Sequence, residues 1–125
     1  MIFLGRDVMA EPLDPPTMEL GEHVAHIAAI NYSFCAALKD TKPPTLPDPK
    51  SKPEIVKFLA DSFDCCTEQI KTVTEAQMNA IHSTPDRSLN GRELLLGAYV
   101  HLAHQRDQAE TYLRIKGNQA AAYVF

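Results

Sequence analysis

The amino-acid sequence predicts an all-α fold, a four-helix bundle with one long crossover loop. Apolar residues recur at helical spacing in three long segments, and no stretch shows the alternation typical of a strand. Four prolines within residues 42–49 exclude a helix or a central strand there, so this stretch should be an extended connection. Residues 1–17 carry three prolines and predict an irregular lead-in. The first helix of the bundle is therefore expected to be short or missing.

Capping residues, glycine and proline set the expected helix boundaries. We expect helices at about 18–38, 52–71, 74–81 and 89–116. Ser51 is predicted to cap the second of these, and Ser88 or Asn90 the last one. Gly117 should end the last helix, because glycine tolerates left-handed backbone angles.

Length and charge limit the domain organisation and the partners. The 125 residues suit a single domain over 1–125, with a turn at 82–87 that leaves His82 in solvent and a tail at 118–125. The net charge is −4 and the Lys and Arg residues are scattered, so neither nucleic acid nor an anionic lipid surface is an expected partner. No segment approaches the roughly 20 apolar residues of a membrane span.

Cysteine usage favours a reducing compartment. The three cysteines are odd in number and two are adjacent in sequence, so a disulfide framework is not expected and the cytoplasm is the predicted location. Cys65 and Cys66 are expected to be small core or near-core residues rather than nucleophiles, because the sequence places no base or cation beside them.

Polar residues interrupt the apolar stripe of the last predicted helix. At about 100° per residue, one face carries Leu94, Ala98, His101, Gln105, Ala109 and Tyr112. His101 and Gln105 thus lie where core is expected, and a buried polar group without a partner costs roughly 1–3 kcal/mol. One explanation is a metal ion shared with a facing helix, which offers His23 and His26. The other is a hydrogen bond between His101 and Gln105, or from either to a backbone carbonyl.

Two segments resemble signatures of the DinB-like superfamily. Residues 20–28, LGEHVAHIA, resemble its second-helix signature, in which a histidine followed by an aliphatic residue is a metal ligand. Residues 101–114, HLAHQRDQAETYLR, resemble its last-helix signature, His-x-x-His-His-Arg-Gly-Gln followed by Tyr-Leu-Arg. The resemblance covers about residues 17–117 and implies a four-helix bundle that is commonly a homodimer. A bundle lacking its first helix would also expose an apolar patch, which favours a homodimer.

The resemblance implies a divalent metal site. In this superfamily three histidines hold an ion such as zinc, nickel or iron. Mapped onto this sequence, the ligands are His26, His101 and Gln105, with His104 and His23 as alternates. Periodicity places His23 nearer the centre of its stripe than His26, but the motif selects His26 and leaves His23 for a cap or an interface. Glutamine replaces the usual third histidine and is a weaker donor for zinc-like ions, so low occupancy is expected.

Two functions are compatible with these residues. The first is a metal-dependent hydrolase or thiol transferase acting on a small molecule, since some relatives transfer or remove thiol groups with low-molecular-weight thiols as cosubstrates. The second is a degenerate, non-catalytic dimeric helical module that has lost the metal. In that module Gln105 would hydrogen-bond His101 and His26 in a closed polar network.

Overall fold

The computed structural model of the chain describes residues 20–48, 50–84 and 86–119. The lead-in expected at 1–17, the fate of a first helix and the apolar residues 120–125 lie outside this part of the chain. The described elements are α1 (Leu20–Leu38), α2 (Lys52–Thr72), α3 (Glu75–Asn79), β1 (Ile81–Ser83), β2 (Ser88–Asn90) and α4 (Gly91–Ile115). The all-α prediction is confirmed. None of the described helices combines the length and apolar character needed to cross a membrane.

Helices α1 and α2 run parallel to each other. Asn31 donates to the Ser62 hydroxyl at 3.2 Å, and one turn further along both helices Cys35 lies 3.0 Å from Cys66, sulfur to sulfur. Parallel helices that follow each other in sequence need a connection that returns along their whole length. Residues 39–51 provide it, and the described prolines of this stretch keep it free of helix, which confirms the predicted crossover loop.

Helix α4 packs against α1 in the opposite direction. His26 near the start of α1 faces His101, whereas Phe34 near its end lies against Gly97, one turn earlier in α4. A Cβ at Gly97 would meet the Phe34 ring at 3.5 Å, an ordinary contact distance, so α1 and α4 pack closely at this point. The α1–α4 interface therefore contains the polar stripe that the sequence predicts for the last helix.

The predicted helix ends are correct at most positions. Asn90, not Ser88, caps α4: its side chain accepts the Glu93 N–H at 2.9 Å, and the Glu93 carboxylate accepts the Asn90 N–H at 2.8 Å. Gly117 follows α4 with φ of 81°, as expected. Ser51 occupies the N-cap position of α2, as predicted, but its side chain makes no capping hydrogen bond.

A short antiparallel hairpin replaces the turn predicted over residues 82–87. The register pairs Ile81 with Asn90, His82 with Leu89 and Ser83 with Ser88. Strands of three residues are too short to leave a recognisable alternation in the sequence. Because the first strand begins at Ile81, α3 ends at Asn79 and is shorter than predicted.

The hairpin buries His82, so the prediction that this side chain is solvated is wrong. The residue is 2% exposed. Its Nε2 lies 2.7 Å from the Gln77 carbonyl oxygen and its Nδ1 lies 3.3 Å from the Asp40 carboxylate. Two acceptors, one on each ring nitrogen, favour the doubly protonated ring, and the hydrogen bond to Gln77 is the largest cause of a raised His82 pKa.

The raised His82 pKa predicts that the stabilising contribution of His82 is lost as the pH rises above 6.5. A histidine whose pKa is higher in the folded state stabilises the fold fully below its ordinary value of 6.5 and loses that contribution as the pH passes through the folded pKa. Urea unfolding at pH 6.5 and pH 8.5 measures the decline. The variant His82→Gln should flatten it, whereas the same change at exposed His104 should not. Equal slopes in the wild type and His82→Gln would contradict this assignment.

Candidate metal centre

Histidine and glutamine side chains meet where α1 packs against α4. The His26 and His101 rings lie 5.6 Å apart between centroids, with 61° between their planes. Gln105, one helical turn beyond His101, places its Nε2 at 3.5 Å from His101 Nε2. The three residues selected by the motif are thus brought to one place in the structure. Phe34, whose ring centroid is 6.5 Å from that of His101, borders the cluster.

The Gln105 side chain carries an unsatisfied buried oxygen. The residue is 9% exposed, and its Oε1 is buried with no hydrogen-bond partner among the described residues. Leaving such an acceptor unpaired costs about 1–3 kcal/mol. A bound cation would satisfy it. Rotation of the amide by 180° offers a second solution, because Oε1 would then accept a hydrogen bond from His101 Nε2.

Burial keeps the two facing histidines neutral. Desolvation lowers the pKa of His26, and the nearby charge of His23 lowers it further. Desolvation is also the largest cause of the lowered pKa of His101, followed by the charges of His26, His104 and His23. Only the neutral imidazole has a lone pair for a metal ion, so both rings are in the state that coordination needs at neutral pH.

His23 lies in the α1–α4 interface, where it joins the two helices. It is 3% exposed, its Nε2 donates to the Gln105 backbone carbonyl at 3.1 Å, and its ring lies 5.7 Å from that of Tyr112. The carbonyl contact places the His23 proton on Nε2, which occupies that nitrogen and leaves only Nδ1 for any ligand. His23 therefore fixes the position of α4 beside His26.

His104, the other alternate ligand, points away from the cluster. Its side chain is exposed, and its Nε2 accepts a hydrogen bond from the Gln108 amide at 3.2 Å. The substitution of this residue therefore provides a control for the substitution of His101, since both histidines lie on α4 within one turn of each other.

No carboxylate or thiolate in the described residues completes a metal site. Residues 20–48, 50–84 and 86–119 contain no group of three or more His, Cys, Asp or Glu side chains arranged to hold an ion. The buried carboxylate of Glu110 contacts Arg106 at 2.9 Å and Arg114 at 3.4 Å. Among the described residues, Gln105 is therefore the candidate third ligand beside His26 and His101.

The comparison with protein families identifies the superfamily of the chain. Residues 5–109 match the model of the DinB superfamily, and the chain belongs to that superfamily. The matched range includes every candidate ligand. No curated protein and no solved structure gives a significant match to the chain.

Proposed function

We propose that this member of the DinB superfamily binds a divalent metal ion through His26, His101 and Gln105. The observation that carries the proposal is the buried Oε1 of Gln105. This oxygen has no hydrogen-bond donor among the described residues and belongs to a side chain next to two neutral imidazoles. A bound cation would interact favourably with the partial negative charge of this oxygen and so replace the missing hydrogen-bond donor.

The donor set and the spacing of the rings fit such an ion. Two imidazoles bound to one tetrahedral ion have ring centres about 5 Å apart, and the His26 and His101 centroids are 5.6 Å apart. Imidazole nitrogen suits zinc, nickel and iron, whereas the amide oxygen is a weaker third donor. All three ligands are neutral, so affinity should be modest and should depend on pH through the two histidines.

A bound ion would supply Lewis acidity and lower the pKa of a water or thiol at its open position. The protein's own residues prepare the site for this. Burial holds His26 and His101 deprotonated, and His23 holds α4 in place through the Gln105 carbonyl. Hydrolysis of a small molecule and transfer of a thiol group are the two reaction classes that we propose for this site.

The second candidate is a non-catalytic helical module without the ion. It is favoured by the contact between the Gln105 amide and His101, which rotation of the amide would turn into a hydrogen bond that leaves no orphan oxygen. The homodimer remains a prediction in both cases. In its support, Leu96, Tyr99 and Val100 expose apolar surface on neighbouring positions of α4.

Zinc titration separates the two candidates. We expect one zinc ion per chain by calorimetry, after treatment of the protein with a chelator. At a free zinc concentration 100 times the Kd, the ion should stabilise the fold by about 2.7 kcal/mol. His101→Ala should abolish both effects, whereas His104→Ala should leave them unchanged, because His104 lies outside the cluster. Wild-type protein that shows neither binding nor stabilisation would favour the non-catalytic module.

A further inference from the structure

Two cysteines on neighbouring helices lie in direct contact at the α1–α2 interface. The Sγ atoms of Cys35 on α1 and Cys66 on α2 are 3.0 Å apart, and both thiols are free. Each cysteine lies one helical turn beyond a residue of the Asn31–Ser62 pair. The hydrogen bond between Asn31 and Ser62 therefore helps to hold the two cysteines opposite each other. We propose that Cys35 and Cys66 are an oxidative modification site at which a peroxide forms a disulfide between α1 and α2.

The contact distinguishes the two sulfur atoms chemically. The hydrogen bond from the Cys35 thiol lowers the pKa of Cys66 and is also the largest cause of the raised pKa of Cys35, which burial raises further. Cys66 is partly exposed, whereas Cys35 is buried. Cys66 is therefore the sulfur that ionises first and that a small oxidant reaches first.

The reaction balances with one peroxide per disulfide. The Cys66 thiolate attacks a peroxide oxygen, the O–O bond breaks, and the leaving hydroxide takes a proton to become water, which leaves Cys66 as a sulfenic acid. Cys35 sulfur then attacks the Cys66 sulfur. The S–O bond breaks as the S–S bond forms, and the Cys35 proton leaves with the hydroxide as a second water.

The geometry requires little movement for this second step. A disulfide bond is about 2.05 Å long, so the two sulfur atoms have to approach by about 1 Å. The bridge would connect parallel helices at a point where they already pack, and it would close a segment that includes the crossover loop of residues 39–51. The site lies in the α1–α2 interface and makes no use of the histidine cluster, so it stands independently of the proposed metal site.

The neighbouring Cys65 supplies a matched control. It is partly exposed, and burial, followed by the charge of Cys35, raises its pKa, so it is a poorer nucleophile than Cys66. The experiment treats the full chain with a small excess of hydrogen peroxide in a buffer containing a chelator. Free thiols should fall from the three of the sequence to one per chain. The intact mass should fall by two hydrogens, and peptide sequencing should link Cys35 to Cys66.

Three cysteine variants distinguish the Cys35–Cys66 disulfide from disulfides that other cysteine pairs could form. Cys65→Ser should still form the bridge, whereas Cys35→Ser and Cys66→Ser should not. The oxidised wild type and Cys65→Ser should melt higher than their reduced forms by on the order of 10 °C, because the bridge restricts the unfolded chain. Retention of all three thiols, a Cys35–Cys65 link, or a bridge between two chains would each overturn the proposal. The peptide map of the oxidised wild type identifies the linked cysteines even if one of the variants fails to fold.

Discussion

Replacing Gln105 with histidine should raise the affinity for zinc by at least about 100-fold. The side chain at this position faces His101 from the next turn of α4, and His26 contributes from α1. Histidine would exchange a neutral amide oxygen for an imidazole nitrogen, the donor that zinc-like ions prefer. Loss of residues that only support metal ligands changes affinity by about 10–100-fold, so an improved ligand should have an effect at least at the upper end of that range.

Two further variants make this result specific to the cluster. Gln105→Leu keeps a side chain of similar size without a donor, so it should abolish zinc binding while the fold stays intact or gains stability, since the orphan oxygen is removed. His26→Ala in the Gln105→His background should remove most of the gain. Competition with a chromogenic chelator measures zinc binding by the wild type, the two single variants at position 105 and the double variant. If Gln105→His binds zinc no better than the wild type, the position does not contact the ion, and the proposed ligand set is wrong.

The sequence predicts the long helices and the candidate ligands, because both depend on local patterns. Helical periodicity defines α1, α2 and α4, and the prolines after α1 predict the crossover loop. One helical turn separates His101 from Gln105, so their proximity follows from spacing alone. His26 requires the resemblance to a known signature, because nothing within α1 itself specifies which face contacts α4.

Features that depend on contacts between distant segments could not be predicted. His82 is buried by a hairpin with three-residue strands and by Gln77 and Asp40, none of which leaves a periodic signal around the histidine. The 3.0 Å contact of Cys35 with Cys66 depends on the register of two parallel helices, which no pattern within either helix fixes. His23 could be predicted only in part. Helical periodicity indicated that its side chain is buried, but the motif selected His26 as the metal ligand instead.

Replacing Gly91 with alanine should lower the free energy of unfolding by roughly 1–3 kcal/mol or more. Gly91 is the first residue of α4, and a Cβ there would overlap the Gln77 carbonyl oxygen and lie 2.6 Å from the Met78 Cα. Both neighbours are backbone atoms of α3, which a change of rotamer cannot move. The same Gln77 carbonyl accepts the 2.7 Å hydrogen bond from His82, so displacing it also weakens the contact that raises the His82 pKa.

Gly97→Ala, on the same helix, is the control for Gly91→Ala. A Cβ at Gly97 meets only the Phe34 ring, at the ordinary contact distance of 3.5 Å, and alanine favours a helix interior by up to about 1 kcal/mol over glycine. Urea unfolding at pH 6.5 and 8.5 should therefore show a large loss in Gly91→Ala, none in Gly97→Ala, and a reduced pH slope only in the first. A Gly91→Ala protein as stable as the wild type would mean that α3 and α4 do not approach this closely. In that case the burial of His82 beside Gln77 of α3 would have to be reconsidered as well.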